Sequence, residues 1–151
     1  MANEKGLVSA IDEYLNEFGI QTRIEARFMN EVEGSLNLAS LAEVQLVCIL
    51  QEALTNVRKH AQASAVSVRI VQKQTAGQCE YLRMEVVDDG VGFVSQKGGK
   101  RSFGLQTMHE RAQAVGGELA VHSVPGQGTS ILCRFPCLAE EKLRKQNLVL
   151  Q

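Results

Sequence analysis

Nowhere in the chain does an uninterrupted apolar run approach the roughly 18 residues that a membrane-crossing helix needs. The opening stretch, MetAlaAsnGluLysGlyLeu, has no apolar core of the kind a signal peptide carries. Both absences lead to the expectation of a cytoplasmic chain without direct membrane contact, although a longer parent protein could still be anchored. An excess of either charge is also missing. Sixteen basic and seventeen acidic residues leave a net charge of −1. That speaks against a broad nucleic-acid-binding surface. No second Cys pair or His pair stands at zinc-ligand spacing beside Cys133 and Cys137. The four cysteines (Cys48, Cys79, Cys133, Cys137) sit in apolar runs, so the expectation is four reduced thiols. No internal repeat and no domain boundary is visible.

What the chain does have is the make-up of one soluble globular domain. It is 151 residues long, 44% apolar and 22% charged. Leu7, Val8, Ile11, Tyr14, Leu15 and Phe18 recur at helical spacing over 5–18, and Gly19 is placed to stop that helix. Residues 20–28 alternate through Ile20, Ile24, Ala26 and Phe28 and read as a half-buried strand. Ser40 with Glu43 makes a capping box for a second helix reaching about residue 61. That helix is apolar enough to lie buried against a sheet. Strands are expected at 65–73 and 80–88 with a turn near Gly77, then a helix at 105–115 ended by Gly116 and Gly117, then a hairpin of 118–123 and 129–135. The fold class is therefore α+β, a two-layer α/β sandwich with a mixed sheet covered by helices on one face.

Three clusters break local rules. Glu52, Asn56, Lys59 and His60 share one stripe of the otherwise apolar second helix. Unpaired polar groups are costly to bury, so such a stripe faces either solvent or a ligand-filled cavity. Residues 86–93 (ValValAspAspGlyValGlyPhe) end a strand in two carboxylates and glycines that let backbone approach a ligand. An ionised carboxylate accepts hydrogen bonds and donates none, which suits an exocyclic amine, although Asp-Gly is also a turn signal. Finally, Ser102PheGlyLeuGlnThrMet runs into a helix whose free N–H groups favour phosphate. Gly98, Gly99, Lys100 and Arg101 before it suit a basic lid.

The order of these boxes (GluAlaLeuThrAsnValArgLysHisAla, AspAspGlyValGlyPhe, GlyLeuGlnThrMetHisGluArg, GlyGlnGlyThr) resembles the ATP-binding domain of sensor histidine kinases. That domain belongs to the superfamily shared with DNA gyrase, the large heat-shock chaperones and mismatch-repair ATPases. The GlyLeu-x-x-Met-x-GluArgAla wording is similar to the branch of nitrate sensors and desaturase or degradative-enzyme regulators. The resemblance implies a Bergerat-type fold over 1–137, with 1–39 as leading helix and strand and 138–151 as tail or linker. It implies ATP and Mg²⁺ as ligands. Asn56 would ligate the metal, Glu52 would polarise a water or position the reacting end, and Lys59 would neutralise phosphate. Asp88 would read the adenine amine with Thr129 assisting through water, Gly90 and Gly92 would open the lid, and Gly104 and Leu105 would cradle phosphate through their N–H groups. Ser102 stands where the family's fuller motif has a glycine. No segment before residue 40 has the form of a phospho-acceptor helix, and His60, His109 and His122 do not fit that part. The implied partners are a separate dimerisation and phospho-acceptor domain and a response regulator, this domain alone being monomeric. Two rival readings share the fold, namely a stand-alone serine kinase of the anti-sigma type and a non-catalytic nucleotide-gated interaction module.

Overall fold

The computed structural model describes residues 4–33, 36–92 and 102–138. Helix α1 (Glu4–Thr22) buries Leu7, Ile11, Leu15 and Phe18, one apolar face at spacings of three and four. It does not stop at Gly19. It runs three residues further, and Ile20 is 73% exposed rather than part of a strand. The stop is at Arg23, whose φ of +62° turns the chain and whose N–H bonds back to the Gly19 carbonyl. The glycine serves a close approach instead: a Cβ there would sit 3.2 Å from the Ile24 carbonyl oxygen. Strand β1 (Glu25–Glu31) follows.

Helix α2 (Ser40–Asn56) carries the centre of the core: Leu46, Ile49, Leu50, Ala53 and Leu54 are all buried. The expected capping box does not form. Ala39 is the N-cap and no side chain caps the helix. Leu38 and Ala42, both buried, fix the entry so that Ser40 is already inside the first turn. Past Asn56 the helix widens into a π-helical turn (Val57–Ala61), ended by Gln62 with φ +51°.

Strands β2 (Ala65–Thr75) and β3 (Gln78–Asp88) form a hairpin. Ala76 and Gly77 both have positive φ, the requirement of a tight turn that follows the strands' twist. Helix α3 (Ser102–Gln113) leads to β4 (Glu118–Ser123) and β5 (Thr129–Pro136). The sheet order is β1-β2-β3-β5-β4. Only β1 and β2 run parallel, as their crossover through α2 demands. The sheet is thus mixed, as expected. One face alternates Val66, Val68 and Ile70 with Leu82, Met84 and Val86 and with Ile131, Cys133 and Phe135, all buried under the helices. The opposite face carries polar pairs such as Arg69–Glu31 and Arg134–Glu118.

The cysteine expectation holds for two residues and fails for two. Cys48 and Cys133 are free thiols, and burial pushes the Cys133 thiol up to about 12. Cys79 and Cys137 form a disulfide, with Cα atoms 5.7 Å apart and a sequence separation of 58. The β3–β5 register makes this pair: Tyr81 lies opposite Pro136, and the Cys137 N–H donates to the Glu80 carbonyl. The bridge closes a long loop, so Cys79→Ser should lower the unfolding free energy by about 2–4 kcal/mol in oxidising buffer. Reductant should bring the wild type down to the variant. Coincident denaturation midpoints without reductant would show that the bridge does not hold in solution.

Candidate functional site

The C-terminal half of α2, its π-helical turn, the ends of β3 and β5 and the start of α3 enclose a cavity of about 270 Å³. Its apolar floor includes Ala53, Val57, Val86 and Ile131. Val86 and Ile131 face each other across β3 and β5. They sit two residues from Asp88 and Thr129, on the same side of the sheet. Sequence reading did not pick them out, although strand alternation from Asp88 and Thr129 points to both.

Asp88 and Thr129 are directly paired in the next row of the sheet. Asp88 is only 7% exposed. Its Oδ1 accepts the Gly90 N–H at 2.8 Å, and its carboxyl also accepts the Thr129 backbone N–H. Burial raises its pKa above the usual aspartate value, and those two N–H groups together offset part of the rise. Asp89 points elsewhere. Its Oδ1 accepts the Ser64 and Ala65 N–H groups at 2.8 and 3.0 Å, which holds its pKa below the usual value. Of the two adjacent carboxylates, then, one faces the cavity and the other ties down the start of β2.

The polar stripe of α2 reaches the same cavity. Glu52, Asn56, Lys59 and His60 all line it, joined by Thr55, which sequence reading left out. Among the described residues, no salt bridge joins Glu52 to Lys59. The π-helical turn follows Asn56 directly and carries Lys59 and His60; such turns are frequent at functional sites. Opposite, Gly104 and Leu105 in the first turn of α3 complete the wall. A Cβ on Gly104 would lie 2.6 Å from Glu52 Oε1 and 3.8 Å from Asn56 Nδ2, so the missing side chain is what lets α3 approach the stripe.

Gly92 lines the cavity and Gly90 does not. A Cβ on Gly90 would stand 2.2 Å from the Ala61 carbonyl oxygen. Gly90 lets the loop after β3 press on the end of the π-helical turn, where Val91 N–H also bonds Ala61. The basic lid of Gly98 to Arg101 and the Ser102 side chain lie outside the described residues. Among the described residues no three His, Cys, Asp or Glu side chains cluster as a metal cage. The oxygen donors lining the cavity include Glu52, Thr55 and Asn56, a sparse set of the kind magnesium accepts.

A family model described as "Histidine kinase-, DNA gyrase B-, and HSP90-like ATPase" matches residues 42–139. The chain is 36% identical over 138 residues to the sensor histidine kinase LiaS of Bacillus subtilis, covering 91% of this chain and 36% of that protein. It is 32% identical to the histidine-protein kinase/phosphatase DegS of Brevibacillus brevis, covering 92% of this chain and 34% of that one. It therefore spans about a third of the length of these relatives. In fold it is similar to a blue-light activated histidine kinase of Erythrobacter litoralis, with TM-score 0.66 and 19% identity over 90% of this chain and 43% of that one.

Because burial raises the Asp88 pKa, the folded state holds this proton more tightly than the unfolded chain does. The group's contribution to stability is fully present below the unfolded pKa and is lost as pH rises through the folded one. Asp88→Asn, which cannot ionise, should unfold at a higher temperature than the ligand-free wild type at pH 7. That advantage should shrink towards pH 3–4. An equal deficit at both pH values would contradict desolvation as the governing cause.

Proposed function

The chain belongs to the histidine kinase-, DNA gyrase B- and HSP90-like ATPase family, and from that membership we propose that it is the Mg²⁺-ATP-binding catalytic unit of a two-component sensor histidine kinase. One observation carries the reading. A single cavity joins a buried hydrogen-bond acceptor at one end to a cation, an amide and a helix N-terminus at the other. This suits a nucleotide, whose base offers an amine and whose phosphates need neutralising. Val86 and Ile131 supply an apolar surface for the base, and Asp88 accepts its exocyclic N–H with Thr129 beside it. The first turn of α3 turns its unpaired N–H groups to phosphate, Gly104 and Leu105 foremost. Lys59 neutralises phosphate charge, Asn56 offers its amide oxygen to Mg²⁺, and Glu52 orients the reacting end. Gly92 leads into the segment read as a lid. Bound magnesium would supply further neutralisation of the phosphate oxygens.

Phosphoryl transfer asks the protein mainly for positioning and charge neutralisation. That fits a site whose described lining is read here as positioning and charge-neutralising groups. The acceptor is proposed to be a histidine on a separate dimerisation domain, whose ring nitrogen takes the γ-phosphoryl group as ADP leaves. The phosphate would then pass to a response regulator. His60 lines the cavity, His109 lies on α3 and His122 is exposed on edge strand β4; none stands on a long acceptor helix. Residues 1–137 are proposed as the ATPase domain, monomeric when alone, with 138–151 as tail or linker. No helix among the described residues is long and apolar enough to cross a membrane, and a cytoplasmic site of action is part of the proposal.

Calorimetric titration with a non-hydrolysable ATP analogue tests the reading. Asp88→Asn should weaken binding by about 10- to 100-fold, the range for losing a hydrogen bond to a charged group. Asn56→Ala should remove the gain in affinity that Mg²⁺ gives the wild type. At about 100 times its dissociation constant, the ligand should add about 2.7 kcal/mol to wild-type stability. A folded wild type that takes up no nucleotide would defeat the proposal.

A further inference from the structure

The row of the sheet that carries Asp88 does not end at Thr129. Thr129 is paired with Asp88 on β3 and with Ser123 on β4, so the three side chains stand side by side across three strands. Thr129 lines the cavity and Ser123 does not. Ser123 Oγ lies 2.8 Å from Thr129 Oγ1, and it donates to the Gly128 carbonyl oxygen at 3.2 Å. Gly128 is itself pressed on the strand that holds the carboxylate: at its φ of +84°, a Cβ would meet the Asp88 carbonyl oxygen at 2.1 Å. A threonine hydroxyl turns freely about its C–O bond unless a partner holds it. Here the partner sits behind it, away from the cavity.

We propose that Ser123 is a positioning residue for base recognition, fixing the Thr129 hydroxyl so that the Asp88–Thr129 pair discriminates a purine carrying a 6-amino group from one carrying a 6-carbonyl. The inference rests on the nucleotide reading above. Asp88 offers lone pairs, which attract an amine and repel a carbonyl. A Thr129 hydroxyl released from Ser123 is free to turn and donate to a 6-carbonyl, so losing Ser123 blunts the discrimination.

The experiment titrates the 151-residue chain with non-hydrolysable analogues of ATP and of inosine triphosphate. Ser123→Ala should weaken the adenine ligand about threefold to tenfold, the effect of one ordinary hydrogen bond. It should leave the inosine ligand unchanged or bound more tightly, narrowing the preference by at least the same factor. Ser123→Thr, which keeps a hydroxyl, should restore the preference. Ser123→Ala combined with Thr129→Val should bind like Thr129→Val alone, because the serine acts through the threonine. Equal losses for both nucleotides, or losses that multiply in the double variant, overturn the inference while leaving the nucleotide site standing. A wild type that binds neither analogue overturns the underlying reading and this inference with it.

Discussion

Asp88 is the one charged side chain among the described residues that folding takes out of water. Desolvating a carboxylate is expensive unless donors replace the lost water. Here the Gly90 and Thr129 N–H groups replace part of it, and both depend on the backbone around them. Gly90 reaches its place only because it lacks a side chain beside Ala61. Thr129 reaches its place through the β3–β5 register. Turn, register and helix end must therefore be correct together for one carboxylate to stay buried with its donors.

The rest of the architecture keeps a space open above that carboxylate. Helix α2 packs on the sheet through Leu46, Ile49, Leu50, Ala53 and Leu54, then leaves α-helical geometry directly after Asn56. Interiors are normally filled to crystal density. The cavity lies where the polar stripe of α2 faces the ends of β3 and β5, and Gly104 lets α3 close its wall against that stripe.

Much of the site was legible from sequence because its signals are local. Glu52, Asn56, Lys59 and His60 share a helix stripe by spacing alone, and Asp88 and Gly104 lie in short motifs; the structure brings them to one cavity. What escaped is what local sequence does not encode. Arg23 adopts positive φ without being glycine, so the end of α1 did not announce itself, whereas the helical segment after Ser40 ends at Ala61 as expected. The π-helical turn has no periodic signature over five residues. The Cys79–Cys137 bridge and the contact between Ser123 and Thr129 are products of strand register, visible only once β5 is known to lie between β3 and β4. The tight packing of Gly90 against Ala61 was likewise beyond what its motif shows.

The β2–β3 hairpin separates two ends of the sheet with different duties. From Gln78 to Asp88 the strand covers ten residue steps, about 34 Å at ~3.4 Å per residue. The Ala76–Gly77 turn therefore stands far from the cavity, and a Cβ on Gly77 would meet nothing within 4 Å. Exposed turns of this kind are where circular permutation and domain insertion succeed most often. A fluorescent reporter spliced between these two residues would ride on the strand that ends in Asp88, making the hairpin a handle by which the domain can be turned into an optical sensor of its own ligand.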